Sequence, residues 1–203
     1  MRYRIAAIVG TRPEAIKMAP LVLALRRSTG FDATLIATGQ HGALLDDALS
    51  CFALAPDHRL ETPPPTGGPS HMAEAISSEL NPLLRLLAPH LVLVQGDTSS
   101  AFAAACAADL LGIPVGHVEA GLRSHDPDRP WPEEGNRIAI DRISTLLFAP
   151  TAGAIDNLRG DPGIQGRAAL TGNTGIDALM LLRGQRAPTD RPRRERLRLL
   201  VTI

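Results

Sequence analysis

Gly10-Thr11-Arg12-Pro13-Glu14-Ala15-Ile16-Lys17-Met18-Ala19-Pro20 follows directly on the apolar run Ile5-Ala6-Ala7-Ile8-Val9. An apolar run without alternation reads as a parallel strand buried on both faces. Gly10 permits a sharp turn, and Thr11-x-x-Glu14 fits a capping box, in which two side chains satisfy a helix's free amides reciprocally. Pro13 falls in the first turn, where a missing N–H does no harm. A strand therefore hands over to a helix whose positive end points past the edge of the sheet. Arg12 and Lys17 add two cationic side chains, a combination that suits an anionic ligand, most naturally a phosphate. Lys17 is the chain's only lysine, and every other Lys/Arg position is arginine. A compact ammonium in a chain that otherwise selects guanidinium marks the position.

Outward from this stretch the same strand–turn–helix unit repeats. The first helix runs through Pro20 to about Arg27, and a second strand, Ala33 to Thr38, ends at Gly39-Gln40-His41. Ala43 to Leu54 is helical in pattern; a proline-rich loop covers Thr62 to Pro69; Ser70 opens a helix to Leu87 with a bend expected at Pro82. Leu91 to Gln95 is a strand closing on Gly96-Asp97-Thr98, and the alanine-rich helix Ser99 to Leu111 can lie close against the sheet. Val115 to Glu119, Leu146 to Ala149 and Ala168 to Gly172 complete six strands. Helices at Pro132 to Ser144, Thr151 to Leu158 and Gly175 to Leu182 complete the alternation. Such alternation means βαβ units and an α/β, doubly wound parallel sheet. Ligands of these folds sit outside the carboxyl ends of the strands. Arg12, His41, Asp97, Glu119 and Arg123 all fall there.

The bulk properties exclude several classes. A chain of 203 residues with zero formal net charge and 3% aromatics offers neither a basic footprint nor a stacking platform for nucleic acid. No segment approaches a membrane span or a signal peptide. Cys51 and Cys106 have no CxxC pairing and read as buried thiols, which points to a cytoplasmic protein.

The polar residues at the strand ends have alternative readings. Asp97 fits a helix N-cap or a crevice carboxylate equally well. Glu119 ends an apolar strand and needs a cation, for which Arg123 is the nearest choice, or exposure in a cleft. Glu133 and Glu134 suit the first turn of a helix. His117 and Glu119 fall on one strand face, but two ligands with no third at suitable spacing do not make a metal site. His58, His71, His90 and His125 lack context. Neither phosphate-loop pattern nor a G-x-S-x-G elbow is present.

Taken in order, GTRPEAIKMAP (10–20), Gly39-Gln40-His41, Gly96-Asp97-Thr98, GHVEAGLR (116–123), Trp131-Pro132-Glu133-Glu134-x-Asn136-Arg137 and Thr171-Gly172-Asn173-Thr174 form a set. That set resembles the non-hydrolysing UDP-N-acetylglucosamine 2-epimerases over essentially the whole chain. The resemblance implies a Rossmann-like domain, the N-terminal half of a GT-B-type two-domain fold. It divides the chain into a domain at 1–182 and, at 183–203, a linker with the first strand of a second domain. It implies conversion of UDP-GlcNAc to UDP-ManNAc by elimination of UDP to a 2-acetamidoglucal and re-addition, as part of polysaccharide biosynthesis. Asp97, Glu119 and Glu133 would be catalytic, the C2 base being one of the three, since carboxylates serve both proton removal and oxocarbenium-like charge. The implied binding residues are Gly10, Arg12, Lys17, His41, Arg123, Glu134, Arg137 and Asn173. Arg12, Lys17 and the helix N-terminus would hold the leaving UDP. No cofactor or metal is implied; a homodimer is.

Two departures accompany the match. Relatives continue past a strand like Leu199 to Ile203 into a His-Arg-Arg-Glu segment with a catalytic histidine, which this sequence does not contain. The chain is therefore expected to lack the second domain and to epimerise negligibly alone, unless a separate chain supplies it. After His41, Gly42-Ala43-Leu44 replace the polar residues that help a second UDP-GlcNAc act as activator in some relatives, so such regulation is not expected. Competing functions are a hydrolysing epimerase releasing ManNAc and UDP, and a non-catalytic nucleotide-binding or dimerising module.

Overall fold

Continuous apolar strands bury both faces only in a parallel sheet covered by helices on each side. The computed structural model describes residues 1–40, 42–61 and 68–185. The contact expected at His41, residues 62–67 of the proline-rich loop, and the linker and strand expected within 186–203 lie outside the described residues. In chain order the elements are β1 (Tyr3–Val9), α1 (Arg12–Arg27), β2 (Phe31–Ala37), α2 (Gly42–Ser50), β3 (His58–Arg59), α3 (Gly68–Leu87) and β4 (Leu91–Gln95). There follow α4 (Ser99–Leu110), β5 (Val115–Val118), α5 (Glu133–Ile143), β6 (Leu146–Ala149), α6 (Ala152–Gly160), β7 (Arg167–Leu170) and α7 (Thr174–Gln185).

The strands form one sheet in the order β3-β2-β1-β4-β5-β6-β7, and every pairing is parallel. One face packs Ile5, Ala7, Val9, Leu35 and Leu93 against α1, α2 and α7. The other packs Ala6, Ile8, Val92, Val94 and Val115 against α3, α4 and α5. Alanines 101, 103, 104, 105, 107 and 108 of α4 are all buried, so this helix lies close to the sheet as its composition predicts. Among the described residues no helix is long and apolar enough to cross a membrane.

The elements depart from the sequence reading in several places: α2 ends at Ser50 rather than Leu54, and α3 begins at Gly68, ahead of Ser70. β3 is a two-residue edge strand that pairs only with Ile36 and Ala37, too short to show a pattern. β5 stops at Val118, because Glu119 adopts a left-handed backbone (φ 71°) and leaves the ladder. α7 runs to Gln185, past the helix end expected at Leu182, its Leu181 and Leu182 packed on the α1 side of the core. Cys51, expected to be buried, is exposed at the end of α2, while Cys106 is half-buried; both are free thiols.

The chain leaves β1 toward β2 and leaves β4 toward β5, so α1 and α4 diverge to opposite faces at neighbouring strands. This is the switch point at which doubly wound sheets open a crevice. Gly10 matters there for space rather than for its torsion angles. A Cβ at Gly10 would lie 2.1 Å from Ser100 Oγ and 2.5 Å from Thr38 Oγ1. Those hydroxyls are 2.9 Å apart, and Ser100 Oγ also donates to Gln40 Oε1 at 2.6 Å, so neither can move freely. Gly10→Ala is expected to destabilise the chain by about 2 kcal/mol through overpacking. A melting temperature within about 1 °C of the wild type, against roughly 2–4 °C per kcal/mol for this size, would show that the crevice floor yields.

Candidate functional site at the sheet switch point

The crevice is built from helix ends. Thr11 caps α1, and its hydroxyl has the orientation of a capping box without closing a hydrogen bond. Glu14 closes the other half: its Oε2 accepts from the Gly10 and Thr11 amides at 2.5 and 2.7 Å. Its Oε1 accepts from the Thr98 hydroxyl. Thr98 in turn caps α4, accepting from the Ala101 amide at 3.0 Å. One buried carboxylate thus ties together the N-termini of both helices. Burial raises the Glu14 carboxyl above its ordinary value, opposed by the hydrogen bonds from Thr98, Gly10 and Thr11. Glu14 thus occupies the Gly10 and Thr11 amides, the two that precede the first helical residue Arg12. Arg12 is exposed and makes no hydrogen bond or ion pair with a described residue, which leaves it free for an anion.

Asp97 is not the helix cap; Thr98 takes that place and frees the carboxylate. Arg137 of α5 grips Asp97 Oδ2 through both Nε, at 3.0 Å, and Nη2. Asn136 donates to the Asp97 carbonyl at 2.9 Å. Arg137 also bonds the buried Glu134 at 2.8 Å, and Glu134 accepts from the Ser124 amide at 3.0 Å. Glu134 is therefore committed to holding the loop and Arg137. Glu133, beside it in the first turn, has Oε2 buried without a partner among the described residues. A pocket of about 330 Å³ is lined by Thr11, Pro13, Gln40, Asp97, Thr98, Ser99, Pro132, Glu133 and Asn136.

Glu119 pairs with Lys17, not with Arg123. Lys17 Nζ donates to both carboxylate oxygens at 2.7 and 2.6 Å, and Gln95 Nε2 donates to Oε2 at 2.5 Å. The left-handed backbone explains the change of partner. In a regular strand His117 and Glu119 would share a face, but φ 71° at Glu119 turns its side chain to the α1 side. His117 stays on the α5 side, bonded to Asp141. Arg123 also pairs with Asp141, at 2.6 Å, with only 7% of its side chain exposed. Arg123 lines a separate hollow with Arg142, Asp156 and Asp161, so it is not brought to the carboxylate pocket. Lys17 is likewise committed to Glu119 rather than left for a phosphate. Asn173 Oδ1 accepts from the Gly175 amide at 2.8 Å as a turn at the start of α7, and a Cβ at Gly175 would meet both Asn173 Oδ1 and Lys17 Cγ. Asn173 therefore lies beside Lys17.

Gln95, Thr98 and Asp141 escaped notice in the sequence. A polar residue ending an apolar strand is the signal that marks Gln95, whereas Asp141 in the helix sequence reads as a solvated acid. Among the described residues no three His, Cys, Asp or Glu side chains converge as metal ligands would.

Fold and site together define a Rossmann-like, doubly wound domain with carboxylates lining the crevice at its switch point. The family model described as UDP-N-acetylglucosamine 2-epimerase matches residues 23–202, and the chain belongs to that family. It is 42% identical over 192 residues to the UDP-N-acetylglucosamine 2-epimerase of Escherichia coli (strain K12), covering 95% of this chain and 51% of that protein. It superposes on the crystal structure of the Neisseria meningitidis UDP-GlcNAc 2-epimerase bound to UDP-GlcNAc with a TM-score of 0.82 and 41% identity, covering 88% of this chain and 49% of that one. The Methanocaldococcus jannaschii enzyme in complex with UDP-GlcNAc and UDP matches with a TM-score of 0.81 and 37% identity, over 88% of this chain and 49% of that one. The chain spans about half the length of the curated relatives it matches.

Glu14→Ala strips the acceptor from two amides and a hydroxyl and is expected to cost about 3 kcal/mol. Because the folded-state carboxyl is raised, its contribution to stability is full below the ordinary glutamate range and is lost as pH rises through the folded value. Thermal melts of wild type and Glu14→Gln should therefore diverge in favour of the wild type as pH falls through the folded value toward the ordinary glutamate range. A constant gap would contradict a raised carboxyl.

Proposed function

We propose that the crevice is one wall of a UDP-sugar site and that the chain serves a non-hydrolysing UDP-N-acetylglucosamine 2-epimerase. The observation that carries this reading is that Asp97 and Glu133 line one pocket at the switch point, with Glu119 directly after the neighbouring strand β5. Two of them are held by cations, Arg137 and Lys17, and the third has an oxygen left unbonded. The reaction asks for such a set. One carboxylate takes the proton from C2 while the C1–O bond breaks and its electron pair leaves with UDP, giving 2-acetamidoglucal. A proton delivered to the other face of C2, with return of the UDP oxygen to C1, completes inversion. A carboxylate held in place by a cation is oriented to act as a base, and Glu133, whose Oε2 has no partner among the described residues, has room to accept a bond from the sugar. Arg12, the free cation at the end of α1, is the side chain available to the leaving diphosphate. The relatives bound to UDP-GlcNAc and UDP support this choice of ligand.

The test has two parts. UDP-GlcNAc or UDP should raise the melting temperature of the chain, and Arg12→Ala should remove that shift; no response to either ligand would sink the reading. The chain mixed with the remaining half of the Escherichia coli relative, followed by proton NMR in deuterated water, should yield UDP-ManNAc carrying deuterium at C2. Asp97→Asn, Glu119→Gln and Glu133→Gln should each lower kcat about 100-fold or more. Accumulation of free ManNAc with UDP would instead favour the hydrolysing reaction.

A further inference from the structure

Behind the carboxylate pocket lies a buried polar chain that the proposed chemistry does not use. His117 is fully buried on β5, and both of its ring nitrogens have partners. Nδ1 lies 2.6 Å from Asp141 Oδ1, and Nε2 lies 2.8 Å from the carbonyl oxygen of Gly96. A carbonyl oxygen only accepts. Asp141 is held as a carboxylate by Arg123 Nη1 at 2.6 Å and by the Gly121 amide at 3.1 Å, both on Oδ2. A neutral imidazole has a single N–H and can satisfy one acceptor; two acceptors require two N–H groups. The alternative, a neutral ring facing a carboxylate or a carbonyl with its lone pair, would leave a buried repulsive contact.

Gly96 is the residue before Asp97 and has a left-handed backbone, φ 71°. Its amide is anchored to the Val118 carbonyl at 3.1 Å, and its carbonyl is anchored to His117. Helix α5 therefore holds the Gly96–Asp97 turn at three points. Asn136 takes the Asp97 carbonyl, Arg137 takes the carboxylate, and Asp141 reaches the Gly96 carbonyl through the imidazole. The charged groups that these contacts place around the ring are Asp141 of α5 and Arg123 of the loop after β5, while its register partner on β6 is the apolar Leu147.

We infer that His117 is a positioning residue for Asp97: a doubly protonated imidazolium that fixes the Gly96–Asp97 turn by donating to Asp141 and Gly96 at once. The role given to Asp97 rests on the proposed epimerase chemistry. The state of the ring and its hold on the turn do not.

The experiment separates the two. In long-range proton–nitrogen NMR of the unaltered chain at neutral pH, both His117 nitrogens should carry hydrogen. A ring with one N–H overturns the inference, including the case in which the second proton sits on Asp141. This spectrum needs no substitution and no turnover, so its outcome stands whether or not the chain acts on UDP-GlcNAc. Two variants then test the hold on the turn. In His117→Gln the side-chain amide reaches the place of Nε2 and keeps a donor for the Gly96 carbonyl; in His117→Asn it reaches the place of Nδ1 and keeps only Asp141. Hydrogen exchange at the Gly96 amide is expected to speed up about tenfold in His117→Asn, with Val94 unchanged, and to stay near wild type in His117→Gln. Equal loss of protection at Gly96 and Val94 in both variants, or no loss in either, would reduce His117 to an ordinary core residue. Where the restored pair turns over UDP-GlcNAc, His117→Asn should lower kcat with little change in KM, and His117→Gln should recover it.

Discussion

The hydrogen bond from the Thr98 hydroxyl to the Glu14 carboxylate crosses the switch point of the sheet, and the site depends on it. A doubly wound sheet gains a crevice where two helices diverge, but that crevice exposes two sets of unsatisfied helix amides side by side. One carboxylate serves both sets here. Glu14 accepts from the first amides of the β1–α1 turn and from the residue that caps α4. Its burial is unfavourable for a charge, and three donors reduce that penalty without cancelling it. With the helix ends bound to each other, Asp97 is released from capping and turns toward α5. Glu14 also holds the Gly10 and Thr11 amides of the turn, so an anion there is better met by a cationic side chain. Arg12, exposed and without an ion pair among the described residues, is available for that function.

Apart from Glu134, whose cation Arg137 lies one turn along its own helix, the paired acidic groups of the crevice meet cations brought from other elements. Lys17 of α1 crosses to Glu119 after β5; Arg137 of α5 crosses to Asp97 after β4; Arg123 and His117 enclose Asp141. These pairs span the strand ends, so they orient the carboxylates as well as neutralise them. Removing one partner of such a part-buried pair leaves the other charge uncompensated, which is why they act as fixed geometry. A chain of zero formal net charge can carry an acidic wall on these terms. The local balance is made pair by pair.

The fold was legible because its signals are local. Apolar runs such as Leu91 to Val94, a capping pattern at Thr11 to Glu14 and an alanine-rich helix after Thr98 each dictate their own element, and their alternation dictates the parallel sheet. The family motifs drew attention to the right strand ends. Partner choice was not legible, since it depends on where side chains point after a turn. Arg123 lies four residues from Glu119 and reads as its natural partner, yet one left-handed residue sends Glu119 to Lys17, 102 positions away in the chain. Asp141 went unnoticed for the same reason: an acid inside a helix looks like a solvated face until β5 brings His117 and Arg123 against it. β3 has too few residues to carry any pattern.

That turn at Glu119 also divides the labour of the two cations at the head of α1. Lys17 and Arg12 look equivalent as phosphate ligands in the sequence, both lying in the first turns of one helix. Lys17 makes a two-oxygen contact with a carboxylate that also receives Gln95, with 28% and 14% of the two side chains exposed. An incoming diphosphate would have to displace that contact in a partly desolvated place, where ion pairs are stronger than at the surface. It meets no such competition at Arg12. Under the proposed chemistry the arginine receives the charge that leaves, and the lysine keeps a carboxylate aimed where a proton is to be moved. Lysine suits that role because a compact ammonium can sit between both oxygens of Glu119 without the planar fork of a guanidinium. The chain's only lysine thus stands where a point charge, rather than an anion clamp, is required.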